Sequence, residues 1–121
     1  MKQLASVVLA LVAVTAASPS IAHPLPRAAS PAPNAVLAKS PSEIRITFSE
    51  GLVAAFSGLD LNDAVGHAIA LGPTVVDPHD HKQLAAPIKT PLPPGAYTAS
   101  WHAVGDDTHH VSGHYSFAVK P

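Results

Sequence analysis

The chain has 121 residues, a formal net charge of −1, only 12% charged residues and no cysteine. This length suits one domain. The absence of cysteine excludes disulfides, thiolate metal sites and cysteine nucleophiles, and the balanced charge offers no basic patch for nucleic acid. Thirteen prolines disfavour long helices, whereas eight histidines indicate metal or proton chemistry.

The first 22 residues have the pattern of a secretory signal peptide. One positive residue precedes an uncharged stretch, Leu4–Ala17, which is shorter than the roughly 20 residues that span a bilayer but suits the apolar region of a signal. An N-terminal membrane anchor is the alternative interpretation. We therefore expect residues 1–22 to be removed and residues 23–121 to form one exported domain that is not inserted in a membrane.

The cleavage site is expected to follow Ala22. Ser20 and Ala22 place small residues at positions −3 and −1, as signal peptidase sites require. A rival site follows Ala17. Cleavage after Ala22 makes His23 the first residue of the mature chain.

The mature chain shows the pattern of short β-strands. Five prolines in residues 24–42 predict an edge strand followed by turns. Glu43–Phe48 is the clearest strand because apolar and polar residues alternate along it. A single helical turn is conceivable at residues 53–55. The other predicted strands are 56–61, 67–71, 82–88, 96–104 and 114–120. Short strands separated by turns favour an antiparallel all-β sandwich.

The core of this sandwich is predicted from the inward-facing side of each strand. Its members are Ile44, Ile46, Phe48, Phe56, Leu59, Leu61, Tyr97, Trp101, Tyr115, Phe117 and Val119. Large buried side chains of this kind contribute most to folding. Trp101→Ala or Phe117→Ala is accordingly predicted to cost about 3–5 kcal/mol.

His23 is the first candidate metal ligand. Once the signal is removed, its α-amine and its imidazole Nδ1 can close a six-membered ring on one metal ion. Pro24 has no N–H, so successive backbone amides cannot wrap the ion and the other ligands must come from elsewhere in the chain. A flexible, solvated terminal histidine is the alternative.

Asp107 and His109 are the next candidates. They lie two residues apart and project to one side of an extended backbone. With His23 they supply three nitrogens and one oxygen, a set that suits tetragonal Cu(II), although zinc could use the same donors in a tetrahedron. An ordinary polar turn is the competing interpretation.

The remaining polar candidates give weaker signals. His79 and His81 could form a second, weaker metal site, but a solvated polar loop is favoured. Glu50 could orient a ligand imidazole or be a surface charge at a strand end. His102 and His114 are expected to be exposed because they lie on the polar faces of their strands.

Short motifs in a fixed order carry a family resemblance. They are His23-Pro24, Ser30-Pro31-Ala32, Ile46-Thr47-Phe48-Ser49-Glu50, Phe56-Ser57-Gly58, Pro93-Pro94-Gly95-Ala96-Tyr97, Trp101-x-Ala103-Val104, Asp107-Thr108-His109, Val111-Ser112-Gly113 and Tyr115-x-Phe117-x-Val119. With these motifs the chain resembles the CopC family of exported copper-binding proteins, over almost the whole mature length.

The resemblance implies a seven-stranded Greek-key sandwich or barrel that is immunoglobulin-like and similar to cupredoxins. It implies one Cu(II) ion per chain, held by His23, Asp107 and His109, with Glu50 in a supporting role. It further implies a non-enzymatic copper carrier or buffer of the periplasm, serving copper homeostasis or resistance. Such a carrier could hand copper to an inner-membrane copper transporter.

One departure from the family matters, and two other functions stay open. Some members carry a methionine-rich Cu(I) loop, whereas Met1 is the only methionine here, so a thioether Cu(I) site is not expected. The open alternatives are a small copper oxygenase-like enzyme that uses an N-terminal histidine chelate, and a metal-free β-sandwich that serves as an interaction module.

Overall fold

The computed structural model describes residues 23–121, which form two β-sheets; the expected signal peptide, residues 1–22, lies outside the described residues. The strands are β1 (Pro26–Ser30), β2 (Val36–Leu37), β3 (Glu43–Phe48), β4 (Gly58–Asp63), β5 (Ala68–Ile69), β6 (Val75–Val76), β7 (Gln83–Pro87), β8 (Gly95–Val104) and β9 (His110–Val119). The one helical turn of this region, at Ala54–Phe56, is three residues long. No helix of residues 23–121 is long and apolar enough to cross a bilayer.

The two sheets have the orders β1-β3-β7-β6 and β2-β9-β8-β4-β5. Strands that are neighbours in a sheet are often distant in sequence, as in Greek-key sandwiches. The predicted all-β sandwich is confirmed, with two open sheets rather than a closed barrel. One detail differs from a purely antiparallel arrangement, because β2 pairs with β9 in parallel.

Each of the seven segments predicted as strands contains or overlaps an observed strand. The structure adds the two-residue strands β2 and β6, so residues 23–121 form nine strands. β9 begins four residues earlier than predicted, because His110 to Gly113 pair with the last residues of β8. The β8–β9 hairpin thus contributes the two longest strands of the larger sheet.

Eight of the eleven predicted core residues are buried, and two more, Trp101 and Tyr115, are partly buried against the core. The prediction for Phe56 is wrong: its side chain is 62% exposed, because it ends the helical turn instead of beginning β4. Leu52, Leu84 and Leu92 are buried core residues that the alternation pattern did not identify.

One end of the sandwich collects most of the candidate polar residues. Here the chain that follows β3 reaches Leu52, which forms a β-bridge with Gly105. The N–H of Leu52 donates to the carbonyl of His81 at 2.9 Å. We call this region the histidine end and define it as residues 23–25, 49–53, 77–82 and 105–109.

Candidate metal centre

The turn between β8 and β9 positions two of the predicted ligands. The N–H of Gly105 donates to the carbonyl of His109 at 3.0 Å, and the N–H of Thr108 donates to the carbonyl of Gly105 at 2.9 Å. Thr108 has a φ of 71°, in the left-handed region that β-branched residues rarely adopt. This tight turn brings the side chains on either side of Thr108 together.

Asp107 and His109 are joined by two hydrogen bonds. Nδ1 of His109 lies 2.8 Å from Oδ2 of Asp107, and the N–H of His109 donates to Oδ1 of Asp107 at 3.2 Å. The side-chain hydrogen bond, followed by the backbone one, holds the pKa of Asp107 below its ordinary value. The carboxylate is therefore an anionic oxygen donor at neutral pH.

The imidazole of His23 lies against that of His109. The two ring centroids are 4.9 Å apart and the rings meet edge to face at 74°, although the residues are far apart in sequence. Both histidines are exposed. The structure therefore places His109 in contact with both His23 and Asp107, which are the other two residues that the sequence predicted as ligands; the role of all three as ligands stays a prediction.

A glycine and a proline let the N-terminal segment approach the β8–β9 turn closely, a contribution that the sequence patterns did not predict. Pro24 is fully buried. A Cβ added to Gly105 would lie 2.9 Å from Oδ1 of Asp107 and 3.3 Å from Cδ of Pro24. A side chain at this position would displace the carboxylate of Asp107 and crowd Pro24, so glycine allows both neighbours to keep their places. The sequence offered a weak signal, since a glycine directly precedes the acidic turn.

The candidates for a second site lie in the loop before β7. His79 and His81 are exposed. Asp77 accepts the N–H of His79 at 2.8 Å, and this backbone hydrogen bond is the main reason that the pKa of Asp77 is lowered. Among residues 23–121, His23 and His109 are the two histidines whose rings lie against each other, and the rings of His79 and His81 form no such contact. A second site at His79 and His81 stays a prediction.

The supporting role of Glu50 also stays a prediction. Glu50 follows Ser49 at the histidine end and is partly buried, but within residues 23–121 it forms no hydrogen bond to either imidazole. His102 and His114 are exposed, as expected.

The donors present fit copper if the chain starts at His23. Among residues 23–121, no three side chains of His, Asp and Glu are grouped as a ready metal site. The proposed set therefore depends on the α-amine of His23 as a main-chain donor. Amine and imidazole nitrogens with one carboxylate oxygen are donors that suit Cu(II).

Comparison with known proteins identifies the family. The sequence-family model of the CopC domain matches residues 27–120. The chain therefore belongs to the CopC family. Protein YobA of Escherichia coli (strain K12) is 37% identical over 113 residues, covering 93% of this chain and 91% of YobA. Copper resistance protein C of Escherichia coli is 33% identical over 107 residues, covering 84% of each chain.

Solved structures agree with this assignment. CopC from Methylosinus trichosporium OB3b superimposes with a TM-score of 0.77 at 25% identity, covering 82% of this chain and 95% of that one. PcoC, described as a methionine-rich copper resistance protein from Escherichia coli, gives a TM-score of 0.73 at 33% identity, covering 82% of this chain and all of PcoC. The resemblance inferred from the motifs is confirmed.

Proposed function

We propose that this chain is an exported, periplasmic copper-binding protein that holds one Cu(II) ion through His23, Asp107 and His109. It acts as a carrier or buffer in copper homeostasis or resistance. Membership of the CopC family and relatives named copper resistance protein C support a copper-related role. The observation that carries the proposal is the 4.9 Å contact between the rings of His23 and His109.

The proposed ligands supply chemistry that favours Cu(II) over Cu(I). Removal of residues 1–22 would give His23 two nitrogen donors, His109 adds a third, and Asp107 adds an anionic oxygen. The sequence after Met1 contains no methionine, so the thioether sulfur that soft Cu(I) prefers is missing. PcoC, a methionine-rich copper resistance protein, differs in this respect.

Asp107 also controls the orientation of His109. Histidine ligands usually donate their second ring nitrogen to a carboxylate or carbonyl, which fixes the ring and raises its basicity. The 2.8 Å contact between Oδ2 of Asp107 and Nδ1 of His109 has this form. Asp107→Asn keeps a side-chain acceptor but removes the charge, and we expect it to weaken Cu(II) binding less than Asp107→Ala.

A copper transporter of the inner membrane is the proposed partner. Copper transport protein CutJ of Bacillus subtilis is 28% identical over 113 residues, which are 93% of this chain but 21% of CutJ. A domain similar to this chain is therefore one part of a much larger protein that is named for copper transport. In our proposal, the domain described here passes its Cu(II) ion to a copper transporter of the inner membrane.

His109→Ala tests the proposed site directly. Loss of one nitrogen donor should change the electron paramagnetic resonance (EPR) spectrum of the Cu(II)-loaded protein and weaken binding. The matched control is His67→Ala, which removes a histidine whose side chain is 79% exposed in the turn between β4 and β5, outside the histidine end. An unchanged spectrum for His109→Ala would exclude His109 as a ligand.

A further inference from the structure

The residue that follows β3, Ser49, is bonded to the N-terminal segment by three hydrogen bonds. Its hydroxyl accepts the N–H of Leu25 at 2.9 Å and donates to the carbonyl of His23 at 3.2 Å. Its own N–H donates to the carbonyl of Leu25 at 2.8 Å. Ser49 therefore holds the backbone on both sides of Pro24.

These bonds leave the metal donors of the terminal residue free. The hydroxyl of Ser49 uses the carbonyl of His23, not its imidazole or its backbone nitrogen. Pro24 offers no N–H, so the first N–H after the terminal residue belongs to Leu25, and Ser49 accepts that one. The exposed ring of His23 then depends on its backbone, and on the burial of Pro24 beside Gly105, for its place next to His109.

We infer that Ser49 is a positioning residue that holds His23 beside His109 before the metal arrives. The inference rests on the proposed function and adds a residue to it. A terminal residue without such support is free to adopt many conformations, and binding must then restrict them. Restricting them in advance strengthens binding without adding a ligand.

The chain provides a matched control at the opposite end of the sandwich. Ser40 also accepts a backbone N–H, that of Leu92 at 2.7 Å, and its hydroxyl donates to the carbonyl of Pro41 at 3.3 Å. Ser40→Ala therefore removes a comparable pair of hydrogen bonds far from the histidine end.

The test compares Ser49→Ala, Ser49→Thr and Ser40→Ala in the exported protein. In the copper-free state, we expect faster hydrogen exchange at the Leu25 amide in Ser49→Ala. Its Kd for Cu(II), measured by competition with a chelator, should rise roughly tenfold, as the loss of the hydroxyl's hydrogen bonds implies. Ser49→Thr should restore both values, and Ser40→Ala should change neither. The EPR spectrum of Ser49→Ala should keep the same number of nitrogen donors.

Two results would overturn the inference. An unchanged Leu25 exchange rate in Ser49→Ala would show that the hydroxyl does not order the segment. Faster exchange with an unchanged Kd would show that the ordering does not assist copper binding. Failure of the parent protein itself to bind Cu(II) would instead refute the proposed function, and the role of Ser49 with it, so the two failures are distinguishable.

Discussion

At the scale of single residues, the hydroxyl of Tyr115 is an unusual feature of the core. It is buried and has no hydrogen-bond partner among the described residues, although a buried phenol normally finds one. Burial raises the pKa of Tyr115 to about 12. Tyr115 lines a cavity of about 410 Å³ that opens between β1 and β9. Trp101 lines the same cavity.

Tyr115→Phe is expected to stabilise the fold by about 1 kcal/mol, because it removes an unpaired polar atom while keeping the ring. Between the ordinary phenol pKa of about 10 and about 12, the unfolded chain releases the proton first, so stability falls as pH rises. The variant should lose this alkaline decline. Thermal melts at pH 8 and pH 11 measure both effects.

Tyr97→Phe is the control for that experiment. The hydroxyl of Tyr97 donates to the carbonyl of Pro93, so its removal should lower the melting temperature at pH 8. If Tyr115→Phe also melted lower than the parent at pH 8, the hydroxyl of Tyr115 would have a partner after all.

Residue chemistry predicted some members of the site and not others. Residues of the types that bind metal, His23, Asp107 and His109, could be selected from the sequence. Gly105 and Ser49 could not, because their roles depend on how closely the N-terminal segment approaches the β8–β9 turn. Such an approach is set by tertiary packing and leaves no periodic pattern in the chain.

At the scale of secondary structure elements, β3 and the turn that follows it differ sharply in what they bury. Phe48 is 1% exposed and its ring meets that of Trp101 edge to face, with centroids 5.1 Å apart. Phe56 is 62% exposed. The two phenylalanines lie only eight residues apart, yet one is central to the core and the other is not part of it.

Phe48→Ala is therefore expected to lower the free energy of unfolding by about 3–5 kcal/mol, because it leaves a large cavity between the sheets. Phe56→Ala should change it by less than about 0.5 kcal/mol, as surface substitutions do. Urea denaturation of both variants provides the comparison. Equal losses would mean that the helical turn buries Phe56 in solution.

The elements that the sequence predicted well are those with several alternating residues. β3 was predicted with its observed bounds and β8 to within one residue, because each alternates over at least six positions. β2 and β6 have two residues each, too few for any alternation. Phe56 was predicted to begin a strand because residue type alone does not distinguish an apolar residue of a strand from one in an exposed turn.

At the scale of the whole molecule, charge is distributed unevenly between the two ends. The histidine end carries five of the eight acidic residues: Glu50, Asp77, Asp80, Asp106 and Asp107. The opposite end carries three lysines, Lys39, Lys89 and Lys120, beside Glu43 and Asp63, whereas Lys82 is the basic residue of the histidine end. A region of one charge sign raises the local concentration of oppositely charged ligands. This arrangement favours the approach of a metal cation to the end where His23 and His109 meet.

Copper is expected to stabilise the whole fold if the chain begins at His23. A ligand that binds only the folded state adds about 2.7 kcal/mol of stability at 100 times its Kd, so Cu(II) should raise the melting temperature. One extra glycine before His23 turns the amine into an amide, and most of this increase should be lost. The increase should also shrink towards pH 5, because the donors must be deprotonated to bind.

Intact mass of the exported protein is the control that makes this last comparison decisive. It reports whether the mature chain starts at His23 and whether one copper ion is bound. Both forms should melt at the same temperature without copper, since the one added glycine has no side chain that could pack against the core formed by β3 and β8. Equal stabilisation of the two forms by Cu(II) would show that the amine is not a ligand. The metal would then rely on side chains alone, although no three of His, Asp and Glu are grouped for this in residues 23–121.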